Sequence, residues 1–258
     1  MTTYRHPDTA ALVLAAGKGT RMNSDLAKVL HPMAGTPLLG HVLQTLDQLG
    51  VGRVLVVIGH QRERVRQEFA DAEVEWVVQA EQRGTGHAVL MAGPGLESFE
   101  GTLLVVAGDI PLLRAATLHA LLEGHRASRA AVTVLSMRLP DPSGYGRIVR
   151  RGDGSIDHIV EHRDATPAQR ALDEVNSSIY AFDYPALVTV LSELSAHNAQ
   201  GEYYLTDTVS LLQRAGKQAA VVLAPDAREL LGINTVEQLA EAERIHHELG
   251  GAGDATQT

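Results

Sequence analysis

The sequence predicts an α/β protein: a doubly wound, mostly parallel sheet with helices on both faces, joined to a smaller mixed α+β lobe. Three observations carry this expectation. Short apolar runs alternate with helix-patterned segments through the first half of the chain. A glycine-rich stretch follows the first apolar run and a Gly-Asp pair follows the fourth, and such sheets present ligands beyond the carboxyl ends of their strands. From about residue 130 the apolar runs are separated by Pro, Gly and Asp, which marks a change of architecture.

In order, Ala11-Leu-Val-Leu14 reads as a buried strand. Leu38 to Leu49 carries apolar residues at helical spacing and stops at Gly50. Arg53–Ile58 is a second strand, Arg62 to Phe69 a polar-faced helix, and Val74–Val78 a third strand. A helix starts at Gly86 to Met91. Thr102–Ala107 is the fourth strand, and Ala115 to His125 a further helix. In the second half, Ala131–Leu135, Gly146–Val149, Ile156–Val160 and Ser177–Phe182 read as strands. Pro185 to Leu194 and Thr206 to Ala215 read as helices, Ala219 to Leu223 as a strand, and Val236 to Leu249 as a closing helix. The expected division is an extension over 1–9 and one unit over 10–249. That unit has a first lobe at about 10–129, a second lobe at about 130–225 packed on the first sheet, and a closing segment at about 226–249. Residues 250–258 have linker-like composition and read as a disordered tail.

Composition narrows the function classes. A chain of 258 residues buries a sizeable core, and the absence of cysteine excludes disulfides and thiolate metal sites. The formal charge of -9 argues against a nucleic-acid binder, which carries a basic surface. It leaves a nucleotide substrate open, because a few cations concentrated in one cleft suffice. No apolar run approaches the roughly 20 residues that span a bilayer, and the polar N-terminus does not read as a signal peptide. A cytoplasmic protein without a membrane partner is expected.

The glycine stretch, Leu14-Ala-Ala-Gly-Lys-Gly-Thr-Arg-Met22, is the strongest functional signal. Glycines at 17 and 19 allow a tight turn and close approach to a ligand, and successive N–H groups in such a turn make an anion site. Lys18, Arg21 and Lys28 add positive charge. Strand, glycine turn, then cations is how a polyphosphate is held. Asp109, just past an apolar strand, reads either as a Mg2+ ligand or as the cap of the segment after Pro111. A neighbouring polyphosphate favours the metal, since Mg2+ commonly binds one or two protein groups plus substrate phosphates. In Gln79-Ala-Glu-Gln-Arg-Gly-Thr-Gly-His87 the glutamine offers a donor and an acceptor to a base edge. The same stretch also reads as an ordinary loop capped by Thr85. Gly144-Tyr-Gly-Arg147, Glu161, Asn176 and Gly201–Asp207 are polar or glycine-rich points suited to sugar hydroxyls, and each alone reads as a turn, cap or surface residue. Asn234 ends a possible strand and is a weak metal signal. The twelve histidines show no ligand spacing and are given no metal role.

Taken together, these segments resemble the uridylyltransferase domain of the bacterial bifunctional N-acetylglucosamine-1-phosphate uridylyltransferase/glucosamine-1-phosphate acetyltransferases. The resemblance covers about residues 10 to 245. It rests on the order of Leu14–Met22, Lys28-Val-Leu-His31, Gln79–Gln82 with Gly84-Thr-Gly-His-Ala88, Gly108-Asp109, Gly144–Arg147, Ile159-Val-Glu-His162 and Asn198–Asp207. It implies a Rossmann-like nucleotidyltransferase fold that makes UDP-N-acetylglucosamine and pyrophosphate from UTP and N-acetylglucosamine 1-phosphate, with Mg2+ as cofactor. By that resemblance Arg21 and Lys28 are catalytic. Leu14, Ala15, Ala16, Gly17, Lys28, Gln79, Gly84, Thr85, Gly108 and Asp109 bind the nucleotide. Gly146, Glu161, Asn176, Tyr204 and Thr206 bind the sugar, and Asp109 and Asn234 hold the metal.

Two positions depart from the family pattern. Ala107 stands where a tyrosine usually precedes Gly-Asp, and Ser177-Ser178 stand where Thr-Gly usually follows the asparagine. These leave open a different hexose 1-phosphate or NTP, and a non-catalytic UDP-sugar-binding module is the remaining alternative. The family continues into a hexapeptide β-helix that nothing after Gly250 resembles. The expectation is therefore no acetyltransferase activity and a monomer or weak oligomer.

Overall fold

The computed structural model describes residues 4–22 and 24–254. Its elements in chain order are β1 (His6–Ala15), β2 (Pro32–Met33), β3 (Thr36–Pro37), α1 (Leu38–Leu49), β4 (Val51–Ile58), α2 (Arg62–Glu68), β5 (Glu75–Val78), α3 (Thr85–Ala92), β6 (Thr102–Ala107) and α4 (Ala115–Ser128). They continue with β7 (Val132–Arg138), β8 (Arg147–Arg150), β9 (Ile156–Val160), α5 (Pro167–Arg170), β10 (Glu174–Asp183), α6 (Tyr184–Leu191), α7 (Asp207–Arg214), β11 (Ala219–Leu223) and α8 (Val236–Asp254).

One sheet organises the molecule, in the order β11-β7-β10-β6-β1-β4-β5, with β8 and β9 attached beside β10. β1 pairs in parallel with both β4 and β6, β4 with β5, and β7 with β11. β10 runs antiparallel to its neighbours β6 and β7. The expected doubly wound, mostly parallel sheet is present. Within the second half, β7, β10 and β11 are strands of this same sheet, and β8 and β9 join it through β10.

Burial on both faces explains the near-continuous apolar strands. Ala10, Ala11, Leu12 and Val13 are all fully buried. Alternate residues serve opposite cores. Leu12, Leu55 and Val105 pack with residues of α3, α6 and α7, while Val13, Val56 and Val106 pack with residues of α1 and α4. A third cluster joins Met22, Met33, Leu38 and Ile233 to Ala242 and Ile245 of α8. That packing anchors the closing helix, and with it the segment that carries Asn234.

Several boundaries differ from the sequence pattern, each for a physical reason. β1 begins at His6 rather than Ala11, because His6 N–H donates to Gly50 O at 2.8 Å and continues the pairing past the polar residues that hide it. Residues 6–9 of the expected extension are thus strand. β10 begins at Glu174 rather than Ser177. Its early residues are polar, but Glu174 is buried against Arg150 Nη2 at 2.6 Å and Ser136 Oγ at 2.7 Å. α5 follows a Thr166/Gln169 capping box, a signature present in the sequence and not used there. α8 continues through residue 254, so the first part of the expected tail is helical. The rest, 255–258, lies outside the described residues.

Candidate active site

The chain runs from β1 outward through β4 and β5, then returns to place β6 on the other side of β1. That reversal is the switch point at which such sheets bind ligands. Leu14 lies level with Ala107 in the β1–β6 register. The glycine loop and Asp109 therefore emerge side by side, above a cleft of about 430 Å³.

One side of the cleft is cationic. Gly19 has φ of +65°, and a Cβ there would lie 2.6 Å from Lys28 Cβ. Only glycine lets the short turn Lys28–Leu30 come up beneath the loop. Lys28 Nζ donates to Asp109 Oδ2 and, at 3.1 Å, to Asn234 Oδ1. Arg21 Nη2 donates to the same Asn234 oxygen at 2.9 Å. Asn234 reaches this point because Ile233 N–H donates to Asp109 O at 2.9 Å. Lys28 and Asp109 are largely buried, with side-chain exposures of 16% and 13%, whereas Arg21 is exposed. Leu14, Ala15, Ala16 and Gly17 line the cleft beside them. Gly108 is placed behind that lining, with its N–H on Leu14 O at 3.0 Å.

The second wall is the loop after β5. Gln79 is 3% exposed, and its Nε2 contacts Gly84 O and His87 Nδ1, both at 3.1 Å. A carbonyl only accepts, so the amide nitrogen faces Gly84 and both its protons serve the loop. The glutamine therefore offers a ligand its acceptor Oε1, not the donor and acceptor together that the sequence suggested. Gly84 has φ of +107°, and a Cβ there would lie 2.6 Å from Tyr203 O. Tyr203 N–H donates to Arg83 O and Gly86 N–H to Tyr203 O, both at 2.8 Å. Thr85 Oγ1 accepts from Leu205 N–H at 3.1 Å. This clasp joins the 79–87 loop to the 198–207 segment, so Thr85 helps hold the cleft together as well as lining it.

The third wall is acidic and hydroxyl-rich. Asn176 N–H donates to Gly146 O at 2.9 Å, which sets Gly146 beside Glu161. Thr206 Oγ1 donates to Glu161 Oε1 at 3.1 Å. Burial of the carboxyl pushes the Glu161 pKa up; the Thr206 hydrogen bond opposes this, while nearby Asp207, Asp164 and Glu202 add to it. Asn176 Nδ2 donates to Tyr180 Oη at 2.7 Å, and Asn176 Oδ1 accepts from Ser178 N–H at 3.0 Å. Tyr204 and Thr206 lie off the main cleft, in a side cavity of about 160 Å³ that shares Leu14, Thr85, Glu161 and Asn176 with it. Tyr204 Oη accepts from Gln200 at 2.9 Å and donates to Asp164 Oδ2 at 3.1 Å, and burial pushes its pKa up to about 12.

The family model for the MobA-like NTP transferase domain matches residues 11–175. The chain belongs to that family. The match spans the glycine loop, the 79–87 loop, Asp109, Glu161 and the start of β10, so this MobA-like NTP transferase domain carries most of the cleft described above. Among curated relatives, the bifunctional protein GlmU of Exiguobacterium sp. is 49% identical over 235 residues, covering 91% of this chain and 52% of that protein. GlmU of Thermobifida fusca is 50% identical over 242 residues, covering 92% and 50%. GlmU of Geobacter metallireducens is 45% identical over 248 residues, covering 94% and 52%. The chain spans about half the length of the curated relatives it matches. The motif resemblance is thereby borne out, and the domain is a nucleotidyltransferase.

Nucleotidyltransferases of this family typically use a divalent metal. The donor set at the cleft fits a hard cation: a carboxylate and an amide oxygen, with room left for phosphate and water oxygens. The Lys28 ammonium rests on both oxygens, so the pair already forms a seat for positive charge.

One residue escaped the motif reading, and another lay inside a quoted motif without being singled out. Gln61 Oε1 accepts from Ala27 N–H at 3.0 Å, and its Nε2 donates to Asp25 O, which fixes the segment leading into Lys28. Tyr145 lines the cleft near Asp109, and its pKa is raised first by burial and then by the Asp109 charge. Gln61 follows no motif, whereas Tyr145 stands within Gly144-Tyr-Gly-Arg147, which the sequence marked without singling out the tyrosine. The histidine reading also changes: His6, His119 and Glu123 do come together, on the far end of the sheet. His119 and Glu123 are spaced i, i+4, a signal the sequence offered, but the third member is remote. No helix among the described residues is long and apolar enough to cross a membrane.

Proposed function

We propose that the domain transfers a uridylyl group from UTP to N-acetylglucosamine 1-phosphate, giving UDP-N-acetylglucosamine and pyrophosphate. The observation that carries this reading is the ring of Arg21 and Lys28 around Asp109 and Asn234 beside the glycine loop. A buried amide acceptor stands on one side of that ring and an acidic pocket on the other.

The N–H groups of the 14–17 loop receive the phosphates, and Gln79 Oε1 accepts from the imide N–H of uracil. That contact disfavours cytosine, whose equivalent ring nitrogen is an acceptor. Glu161, Asn176 and Gly146 take sugar hydroxyl and amide groups, with Tyr204 and Thr206 behind them. Asp109 and Asn234 would hold Mg2+, which would supply neutralisation of phosphate charge. A sugar-phosphate monoester is already largely dianionic near pH 7, its second pKa being about 6. Its oxygen forms the new bond to the α-phosphorus while the bond to the β-phosphate oxygen breaks, and pyrophosphate leaves with that electron pair. No general base is required. Arg21 and Lys28 neutralise the charge that accumulates on pyrophosphate, the main service a protein gives phosphoryl transfer.

A second reading keeps the chemistry and changes the sugar. Ala107 lines the cleft where the resembling family carries tyrosine, and Ser178 lines it where that family carries glycine. Pyrophosphate release from UTP and Mg2+ with N-acetylglucosamine 1-phosphate, glucose 1-phosphate and glucosamine 1-phosphate in parallel decides between them. Release confined to the N-acetylated sugar is expected. Preference for another sugar moves the domain to the second reading, and no release with any of them removes both.

A further inference from the structure

We propose that His6, His119 and Glu123 form a second metal site, for a transition-metal ion of the Zn2+ type, separate from the nucleotide cleft. One ligand atom from each of the three lies within 4.8 Å of the others. His6 opens β1 and is 2% exposed. His119 and Glu123 stand one helical turn apart on α4, so both side chains face the same way. The site lies at the amino end of β1, and the cleft lies beyond its carboxyl end. Nine residues at about 3.3 Å each put them roughly 30 Å apart along the strand.

The donor set selects the ion. Two imidazoles and a carboxylate suit Zn2+ and its neighbours, whereas Mg2+ prefers oxygen ligands throughout. The spacing agrees. Ligands at about 2.0–2.1 Å around a tetrahedral ion stand about 3.3 Å apart, and His6 Nε2 and His119 Nδ1 are 3.1 Å apart. Across that contact the two rings share one proton at most, so at least one nitrogen presents a lone pair. Burial, then Arg126, then His119 itself lower the His6 pKa, against weaker opposition from Glu123 and Asp8. His6 Nδ1 is buried without a hydrogen-bond partner, which marks the ring as incompletely satisfied by the protein alone.

Glu123 completes the set from the solvent side. Its Oε1 accepts from Arg126 Nη1 at 2.8 Å, and Arg126 Nη2 reaches Asp8 Oδ1 at 3.3 Å. When Glu123 turns to the ion, Arg126 keeps a carboxylate partner, so the cation beside the site stays neutralised. Tyr4 stacks on His119 with ring centroids 4.3 Å apart and shields one flank. An ion here ties the first residue of β1 to α4, a stabilising role and not a chemical one.

The test is Zn2+ titration of the chelator-stripped full chain in competition with a chromophoric chelator, repeated with Co2+ and its visible spectrum. One site is expected in the wild type and in Asp109→Asn, which separates it from the cleft. Glu123→Gln and His119→Ala should each weaken it by at least about tenfold, since even outer-shell changes cost 10–100-fold in metal affinity. Zn2+ should raise the melting temperature of the wild type and not that of His119→Ala. Glu123→Gln alters an exposed side chain and guards against a folding defect in the histidine variant. Binding that both variants leave unchanged, binding lost in Asp109→Asn, or no wild-type binding would each overturn the proposal. An adjacent pair of histidines tied only to each other would be the remaining account.

Discussion

Two adjacent serines in β10 should respond to substitution with opposite signs. Ser178 has φ of +65°, in the left-handed region, and it sits where the β7–β10 register shifts between Asn176 and Ile179. A non-glycine residue held there costs about 1–2 kcal/mol. Glycine removes that cost but gives back about 0.5–1 kcal/mol in chain entropy on folding. Ser178→Gly should therefore stabilise by about 0.5–1 kcal/mol, because the Ser178 N–H bond to Asn176 Oδ1 survives the change. Ser177 is the counterpart. It is 3% exposed, donates to Leu135 O at 2.7 Å and accepts from Ile179 N–H at 3.3 Å. Ser177→Ala deletes both bonds and should destabilise by about 1–3 kcal/mol, at 0.5–1.5 kcal/mol for each. Urea unfolding of the three proteins under one set of conditions measures this. With a slope near 3 kcal/mol/M, Ser178→Gly should raise the midpoint by about 0.2–0.3 M without changing the slope. A midpoint at or below the wild type would refute the strain argument, whatever Ser177→Ala does. Because Ser178 also lines the cleft, the strained residue bears directly on the shape of that cleft.

Arg21→Ala should lower kcat by about 10²-fold, the scale of one strong transition-state donor; steady-state kinetics within a few-fold of wild type would remove Arg21 from the reaction. Gln61→Ala should lower kcat by about tenfold or more with Lys28 intact, since its two bonds hold the chain entering Lys28, and misplacing a catalytic group by 1 Å can cost about 10²-fold. Unchanged kinetics would show that the segment needs no such support. Burial holds Glu161 above its ordinary value of 4.5. Between the unfolded and folded values the native state keeps a proton that the unfolded chain has released, so stability is full below about 4.5 and falls as pH rises through that interval. Glu161→Gln cannot titrate; it should gain stability relative to wild type as pH rises above the ordinary value of 4.5 while losing sugar-phosphate affinity, and urea midpoints that run parallel as pH rises would argue that Glu161 is not the source.

The strands that carry the cleft were legible because they are apolar on both faces. Thr102–Ala107 and Leu38–Leu49 agree with the sequence pattern to the residue. What was hidden depends on partners far along the chain. The polar start of β10 reads as loop until Arg150 and Ser136 are seen to satisfy Glu174. The glycine loop, Asp109 and Gln79 each announce themselves by following an apolar run, a local signal. Gln61 does not, because a side chain bonded to backbone groups 34 and 36 positions away leaves no mark on residue spacing. The same holds for His6, which is separated by 113 positions from the histidine it touches.

The cation seat shows most directly why topology had to be known. Lys28 meets Asp109 across 81 positions and Asn234 across 206. The first meeting follows from β6 returning to the free side of β1, in a register that sets Ala107 level with Leu14. The second follows from α8 packing its Ala242 and Ile245 against Met33 and Leu38, which brings Ile233 N–H onto the Asp109 carbonyl. An aspartate that reads as a metal ligand or a cap, and an asparagine that is a weak metal signal in sequence, come together only through these two events. Loosening α8 should therefore disturb the cleft before it disturbs the sheet, because Asn234 depends on that helix and Asp109 does not.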